Sequence, residues 1–442
     1  MIKTFINAFK IKEVRTKLFF TFCMLVVIRI GSQLPIPGVD RGLFNEWYSN
    51  LSSQSGGAMG FLDQFTGGSF SNFSIFALSI TPYITSSIIM QLLTIAIPKL
   101  EEMNKDEDGR KKIASITRYV TVALSLIEGT AMAVGFRSSL DTSNGKVLSM
   151  IAVVAALTAG SAFLMWVGEQ ITEHGVGNGI SIVLLINIVS RMPADIYGLF
   201  QTFVLTADNV GKAVVAALII MAVIVITVIL VIILNDGVRK IPVQYAKKVQ
   251  GNRMVGGNNS HIPLRVNTAG VMPIIFASSI LQFPLVITSM LGKQGATGIA
   301  GTILRCMSSD NWFKQGDEFK YTIGFVVYIV LVIFFAYFYT SLTFNPLMIS
   351  DNMKKSGGFI PGIRPGKPTT EYLNNVLNYI IFMGAVGLII VAVIPIFFSG
   401  WFGADVSFGG TSLIIVVSVL IDTLKQIETM MLERNYKGFL NA

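Results

Sequence analysis

The residue types that most often carry catalysis are scarce in this chain and are not grouped. The two histidines, His174 and His261, fall in connecting segments and belong to no metal-ligand spacing. Cys23 lies inside an apolar run and Cys306 in a loop, which favours neither a disulfide framework nor a metal site. The run G-V-G-N-G at 175–179 lacks the Gly-Lys-Ser/Thr ending of a phosphate loop. The sequence therefore predicts neither an enzyme nor a bound cofactor.

Two long connecting segments, 235–268 and 343–370, each combine basic side chains with turn residues. The stretch KKSGGFIPGIRPGKPT at 354–369 combines lysines and an arginine with glycines and prolines and contains no acid. Glycine and proline at this density exclude a regular helix or a central strand. Because connections of this length usually carry function, the two segments predict docking sites for an acidic partner, either RNA or an acidic protein surface.

Ionisable residues inside the apolar runs are few. Arg29 and Glu169 lie near the ends of their runs, and we expect their side chains to extend toward the interface. Glu128 and Asp422 lie deeper, where pairing with polar neighbours is expected. A secondary transporter for a small solute would require convergent intramembrane charges for its substrate and coupling ion. The scarcity of such charges disfavours that alternative.

The elements that position these residues are membrane helices. Of the 442 residues, 52% are hydrophobic and 13% charged, about half the charged fraction of a soluble protein. A crossing helix needs about 20 apolar residues, and the runs that satisfy this are 18–34, 75–97, 116–136, 147–168, 179–198, 212–234, 269–291, 321–343, 375–398 and 411–430. The fold class predicted is an all-α polytopic membrane protein with about ten transmembrane helices.

Charge predicts the orientation of these helices. Most of the 34 lysines and arginines fall at the N-terminus, in alternate connections and in the C-terminal tail. Since positive residues stay on the cytoplasmic side, both termini and both docking segments are predicted to face the cytoplasm. The first run lacks an A-x-A-like cleavage site, and its exit at 34–38, LPIPG, predicts a retained helix rather than a signal peptide.

The spans divide into two halves, 1–200 and 201–442. SITPYITSSI at 79–88 and VMPIIFASSI at 271–280 share a proline followed by Ser-Ser-Ile, and they occupy the second and seventh spans. Matched positions of this kind indicate an internal repeat with the functional path between the halves. The polar residues of these two helices fit two interpretations, which are ordinary helix packing and a seam that can open. Segment 56–74 is too short to cross and predicts either a re-entrant half-helix or an interfacial loop.

Five long motifs closely resemble the bacterial SecY family, the main subunit of the Sec protein-conducting channel. They are ITPYITSSIIMQLL (80–93), GEQITEHGVGNGISI (168–182), NTAGVMPIIFASSI (267–280), GFIPGIRPGKPT (358–369) and GGTSLII (409–415). The resemblance implies two pseudo-symmetric five-helix halves around a central hourglass pore. It also implies an apolar ring at the waist, at the matching positions Ile80, Ile84, Leu184, Ile188, Ile275 and Ile415. An apolar constriction of this kind resists ions by dewetting and offers a passing peptide no specific bonds.

The same resemblance assigns roles to other residues. Segment 56–74 becomes a plug, with Phe61, Leu62, Phe65, Gly67 and Gly68 as its site residues. The second and seventh spans become a lateral gate toward lipid, with polar positions Thr85, Gln91 and Ser279. The docking segments become sites for the motor ATPase SecA and the ribosome, through Arg364, Lys247, Lys248, Arg253 and Arg265.

The resemblance further implies the setting in which the chain works. The small subunits SecE and SecG, signal sequences, preprotein chains and membrane lipid are the remaining expected partners. The bacterial cytoplasmic membrane is the expected location.

Overall fold

The fold is that of a computed structural model, which describes residues 9–54, 63, 65–136, 145–205, 210–245, 248–250, 253–255, 259–290, 299–308, 312, 322–402 and 410–440. Three residues of the predicted sites lie outside this part of the chain: Phe61, Leu62 and Lys247.

The described chain is predominantly helical. Its helices are α1 (Lys12–Gly31), α2 (Arg41–Gln54), α3 (Thr81–Ala96), α4 (Pro98–Lys105), α5 (Glu107–Gly135), α6 (Lys146–His174), α7 (Gly179–Phe200), α8 (Val210–Asp236), α9 (Met272–Met290), α10 (Ile299–Met307), α11 (Ile323–Thr343), α12 (Pro346–Lys355), α13 (Lys367–Phe402) and α14 (Gly410–Leu440). A π-helical turn, Gln201–Leu205, continues α7. The strands are β1 (Val238–Tyr245), β2 (Lys248–Gln250), β3 (Arg253–Val255), β4 (Asn259–Arg265) and β5 (Gly358–Phe359).

The helices agree with the predicted spans. Each predicted span overlaps one long helix: α1, α3, α5, α6, α7, α8, α9, α11, α13 and α14. Within the described residues, five helices are long and apolar enough by themselves to cross a membrane, namely α6, α7, α8, α11 and α13. Helices α3 and α4 pass the same criterion only as a pair, bent by 108° at Ile97. The chain is therefore a multi-pass membrane protein, while the count of ten crossings stays a prediction.

Local sequence explains where the functional helices start. Pro82 lies in the first turn of α3, where its missing N–H has no intrahelical partner to lose. Asn178 caps α7, because its side-chain oxygen accepts hydrogen bonds from the backbone N–H groups of Ile180 and Ser181. Asn345 caps α12 in the same way through Leu347 and Met348. These caps fix the ends of the helices that carry the site residues.

The first docking segment contains β-structure that the sequence did not predict. Strand β1 pairs antiparallel with β4 on one side and with β5 on the other, and β2 pairs with β3 in a second hairpin. Ile241 and Val243 alternate inward along β1. Pro242 in β1 and Pro263 in β4 interrupt the sequence pattern expected of strands. Pro242 is not paired with β5, because β5 pairs only with Gln244 and Tyr245 at the end of β1. Pro263 lies in β4, which is an edge strand among the described residues. Edge positions tolerate the missing donor of proline.

The largest apolar cluster lies at the centre of the helices. It includes buried residues of α3, α6, α7, α9, α11, α13 and α14, such as Ile88, Val183, Ile274, Val332 and Ile414. A second cluster, around Phe44, Phe73 and Phe136, packs α2 against the segment that precedes α3. The first cluster contains the predicted ring, and the second supports the predicted plug.

Candidate functional site

The structure brings all six predicted ring residues into the central apolar cluster. Ile80 and Ile84 lie at the start of α3, and Leu184 and Ile188 lie one turn apart on α7. The cluster contains Ile80, Leu184, Ile188, Ile275 and Ile415 as buried members, with the partly buried Ile84 packed against it. Since these residues come from both halves of the sequence, their convergence depends on the tertiary fold. Four helices thus meet at one apolar cluster.

A cavity of about 170 Å³ opens next to these predicted ring residues. Ile84, Leu184, Ile275 and Ile415 contribute to its wall. Its other lining residues include the polar side chains Tyr83, Ser87, Gln91, Asn178 and Ser181. The cavity therefore joins an apolar floor to a partly polar wall, and it lies between α3 and α9, the helices predicted to form a seam.

The predicted gate residues differ in how they are bonded. Thr85 donates to the carbonyl of Thr81 on its own helix at 3.1 Å, which is the arrangement expected for a packed threonine. Gln91 lines the cavity and donates to the Ser87 hydroxyl at 3.2 Å, while its carbonyl oxygen is buried without a hydrogen-bond partner. Ser279 is half-buried on α9. Gln91 is thus the gate residue with unused hydrogen-bonding capacity inside the cavity.

Helix α3 is tied laterally to α5 by polar contacts. The Ser86 and Thr121 hydroxyls lie 2.5 Å apart, and Ser86 also lies within hydrogen-bonding distance of the Thr117 carbonyl. Helix α9 contacts α5 and α11. Residues of α3, α7, α9, α11 and α14 therefore line the cavity, while α5 packs beside α3 and α9 without lining it.

The described part of the predicted plug is a compact buried turn rather than a continuous helix. Asp63, Phe65 and Thr66 are helical, and the chain then turns through 67–73 before it reaches α3. Gly67 and Gly68 have φ values of +66° and +81°, which favour glycine. A Cβ at Gly67 would lie 2.8 Å from the Cα of Asn187 on α7. The segment from Asp63 to Ser79, called the plug segment below, therefore rests directly on the backbone of α7.

Side chains of α7 and α1 hold the plug segment in this place. The Asn187 amide donates to the Phe65 carbonyl at 3.2 Å and to the Ser79 hydroxyl at 3.0 Å. Ser190 and Arg29 both donate to the Gly67 carbonyl, at 3.4 and 3.3 Å. One side chain of α7 thus connects the plug segment to Ser79, the residue before Ile80, and it lies next in sequence to the predicted ring residue Ile188.

A charge pair completes these contacts. Asp63 has no solvent exposure, and its Oδ2 lies 2.9 Å from Nη2 of Arg191 on α7. That oxygen forms no hydrogen bond of standard geometry, so the contact is a charge pair, whereas Oδ1 accepts from the Ser71 N–H at 2.8 Å. Burial, together with the Asp63 carboxylate, raises the pKa of the nearby Tyr48 to about 12 although Arg191 acts in the opposite direction. Tyr48 therefore stays neutral beside the pair.

The aromatic cluster forms the other side of the plug segment. Phe73 packs against Phe44 and Phe136, with ring centroids 4.3 and 4.6 Å away. Phe73 and Ser79 have positive φ values of 44° and 52°, which non-glycine residues rarely adopt. Such backbone strain persists only where surrounding contacts impose it. The plug segment is therefore held in a strained conformation by packing on one side and polar contacts on the other.

The predicted docking residue Arg364 lies exposed on a tight, well-supported loop. Its carbonyl accepts a hydrogen bond from the Thr369 hydroxyl at 2.8 Å, and the Gly366 carbonyl accepts one from Ser350 at 3.0 Å. Gly362 and Gly366 flank it with φ values of +83° and +103°. Because these contacts fix the backbone, the loop presents the guanidinium to solvent from a defined position.

The two docking segments form a single unit. Strand β5 of the second segment pairs with β1 of the first. One apolar cluster joins them to the start of α13, through Ile241, Val243, Leu264, Met353, Ile360, Leu373, Val376 and Ile380. This unit, called the docking module below, comprises β1, β4, β5, α12 and the first turns of α13.

The other predicted docking residues have different surroundings. Lys248 and Arg253 begin the strands of the β2–β3 hairpin, where the structure describes their backbone only. Arg265 ends β4, and its Nη1 lies 3.1 Å from Asp422 of α14. Lys425 of the same helix pairs with Asp236 at 2.9 Å. Arg265 therefore ties the docking module to the helix that carries Ile415, in addition to its half-exposed position at the surface.

Sequence reasoning missed the side chains that hold the plug segment: Asp63, Asn187 and Arg191. Arg191 and Asp195 stand four positions apart near the end of an apolar span, and Arg191 Nε lies 4.0 Å from Asp195 Oδ1. This spacing of opposite charges is the signal that could have identified Arg191. Nothing local connects Asp63 to α7. In the described part of the chain, no group of three or more His, Cys, Asp and Glu side chains could hold a metal ion.

Comparison with known proteins identifies relatives over the whole chain. A family model described as SecY matches residues 74–424. The protein translocase subunit SecY of Halalkalibacterium halodurans is 40% identical over 449 residues, covering 100% of both chains. The protein translocase subunit SecY of Bacillus subtilis is 39% identical over 452 residues, again covering 100% of both.

Solved structures resemble the fold at lower sequence identity. A protein-conducting channel superposes with a TM-score of 0.62 at 17% identity, covering 94% of this chain and 92% of that one. Sec61 from the canine ribosome–channel complex of the endoplasmic reticulum superposes with a TM-score of 0.60 at 16% identity, with the same coverage. These similarities show the fold.

Proposed function

The chain belongs to the SecY family, and from that premise we propose how its residues conduct a polypeptide. It is the channel subunit of a protein translocase, through which unfolded secretory polypeptides cross the membrane and membrane-protein segments pass into it. SecA or the translating ribosome supplies the driving force. In this proposal the chain performs no chemistry of its own, and its residues act by sealing, opening and docking.

The observation that carries the proposal is the convergence of the six predicted ring residues beside a partly polar cavity. Five of them are buried in one cluster, and four of the six face the cavity between α3 and α9. A constriction lined only by aliphatic side chains excludes hydrated ions because it gives them no ligands. The same side chains yield to a polypeptide, since separating them breaks no hydrogen bond. In this proposal the ring closes around the translocating chain and keeps ions from passing beside it.

We propose that the seam between α3 with α5 and α9 with α11 is the lateral exit. The apolar core of a signal sequence entering the cavity gains about 0.8 kcal/mol for each CH₂ group it buries in lipid. Gln91, with an unpartnered carbonyl oxygen, offers the first polar contact to the backbone of that segment. The plug segment closes the opposite side of the ring at rest, through its contacts with α7 and α1.

The docking module is proposed as the cytoplasmic platform. Arg364 provides an exposed cation on a rigid loop, suited to an acidic surface of SecA or to ribosomal RNA. SecE and SecG are expected to cover apolar helix faces, for which the largely exposed α8 is a candidate. The proposed location is the bacterial cytoplasmic membrane, with both termini on the cytoplasmic side, as the distribution of lysine and arginine suggests.

The test is protease protection of a labelled preprotein in proteoliposomes that contain this chain with SecE, SecG, SecA and ATP. Protection is expected only when ATP and a functional signal sequence are both present. Ile415→Asp tests the seal in the same assay, and Leu420→Asp is its matched control, because Leu420 lies on the same helix but is exposed. Absence of protection by the unaltered chain, with SecA binding and preprotein quality verified, would refute the proposed function.

A further inference from the structure

The plug segment contacts α7 through a pair of opposite charges, Asp63 and Arg191, in addition to uncharged hydrogen bonds. The Asp63 carboxylate is fully buried, whereas the side chain of its partner Arg191 is 33% exposed. A carboxylate taken out of water in this way is stable only while a cation compensates it. The seated position of the plug segment is therefore coupled to one specific cation on α7.

Arg191 also has a second acid within reach. Its Nε lies 4.0 Å from Oδ1 of Asp195, one turn further along α7, and Oδ2 of Asp195 is buried without a hydrogen-bond partner. When Asp63 departs, Asp195 can accept the guanidinium without any movement of α7. Arg191 thus has a partner in both the seated and the displaced states of the plug segment.

Strain in the plug segment favours its departure. Phe73 and Ser79 adopt positive φ angles, and the Ser79 hydroxyl is held by the Asn187 amide next to the ring residue Ile188. Release of Asp63 allows both residues to relax toward ordinary φ values. Because Ser79 immediately precedes Ile80, that relaxation moves the start of α3 and with it the ring.

From these observations we infer that Asp63 and Arg191 are a gating pair, whose charge attraction sets the threshold at which the closed channel opens. The inference rests on the proposed function and deepens it. The two residues are positioning residues, since neither lines the cavity, and they determine how strong a signal sequence must be to open the channel. Neutralising either charge lowers that threshold, and restoring a charge pair raises it again.

The test compares variants of the complete channel complex in planar bilayers and in transport assays. Asp63→Asn and Arg191→Gln should each raise the resting ion conductance about tenfold or more, which corresponds to the loss of one charge-assisted contact. They should also accept a preprotein with a defective signal sequence. Arg191→Lys and the exchanged pair Asp63→Arg with Arg191→Asp should return both readouts toward those of the unaltered complex. Asp108→Asn is the matched control, because it removes an acid exposed on the surface of α5.

Two results would overturn the gating pair. One is a resting conductance of the neutral variants equal to that of Asp108→Asn, and the other is a failure of both charge-restoring variants to reverse the change. If the single neutral variants do not assemble, the doubly neutral variant, which leaves no unpaired charge, must show the same raised conductance. The proposed function is judged separately by signal-dependent transport of the unaltered complex. If the unaltered complex shows no signal-dependent transport, the proposed function fails, and the gating pair is then judged by the resting conductance of the variants alone.

Discussion

Replacement of Gly67 by alanine tests whether the plug segment seals by resting on α7. At φ +66°, an alanine pays about 1–2 kcal/mol for the left-handed conformation. Its Cβ would also lie 2.8 Å from Asn187 Cα and 2.9 Å from Asn187 O, both of them backbone atoms. Ordinary contact begins at 3.4 Å, so the plug segment must shift by several tenths of an ångström away from α7.

This shift has a calculable consequence. The bonds from Asn187 to the Phe65 carbonyl and from Ser190 to the Gly67 carbonyl are 3.2 and 3.4 Å long, and both would exceed hydrogen-bonding distance. Each such bond contributes about 1 kcal/mol. The seated state of Gly67→Ala is therefore weakened by about 3 kcal/mol, which favours the open channel by about a hundredfold.

The adjacent glycine provides the control. Gly68 has φ +81°, but a Cβ there would meet nothing closer than 3.8 Å, at the flexible side chain of Arg191. Gly68→Ala therefore carries the backbone penalty without the clash, and because it keeps the two hydrogen bonds of about 1 kcal/mol each, it should open the channel about thirtyfold less often than Gly67→Ala. The assay is the open probability of single resting channels in planar bilayers. Equal open probabilities for the two variants would refute the reasoning, because the close approach to α7 would then have no effect on sealing.

Three further outcomes are expected. Arg364→Glu should abolish SecA-driven transport while the complex assembles normally. Its control, Lys355→Glu, reverses an exposed charge nearby and should retain most of the transport. Normal transport by Arg364→Glu would contradict the docking role of Arg364. Ile415→Asn should admit preproteins with weak signal sequences, because it buries an amide among aliphatic side chains. Leu420→Asn, at an exposed position of the same helix, should not. If signal dependence and ion leak both stay unchanged in Ile415→Asn, Ile415 is not part of the ring. Leu373→Ala should destabilise the docking module by about 2–5 kcal/mol and weaken the binding of both SecA and the ribosome. The measurement is the dissociation constant of each partner. Weaker binding of only one partner would argue against a core shared by the two docking segments.

Hydrophobic runs predicted the helices well, because a bilayer requires continuous apolar segments and the chain has few alternatives. The predicted spans overlap the long helices. The start of α7 at Gly179, directly after the Asn178 cap, coincides with the predicted start, whereas α5 begins nine residues and α13 eight residues before their predicted spans. The ring residues depended on the resemblance, since an isoleucine in an apolar helix carries no local signal. The structure gathers them in one cluster, and their function stays a prediction.

The features that the sequence did not predict depend on long-range pairing. Pro242 and Pro263 obscured the strands of the first docking segment, because their tolerance at edges is visible only when the neighbouring strands are known. The contact between Asp63 and Arg191 joins a turn to a distant helix, and no spacing rule relates them. The joint core of the two docking segments was missed for the same reason: each was read as a separate loop.

The strand pairing in the docking module also constrains how a new copy of this protein matures. Gln244 pairs with Phe359 and Tyr245 with Gly358, although the four helices α9 to α12 separate them along the chain. Ribosomes extend the chain from the N-terminus, so β1 and β4 emerge long before β5, α12 and Leu373 can complete their core. Under the proposed docking role, a nascent copy therefore gains its cytoplasmic platform only after most of its helices have been synthesised.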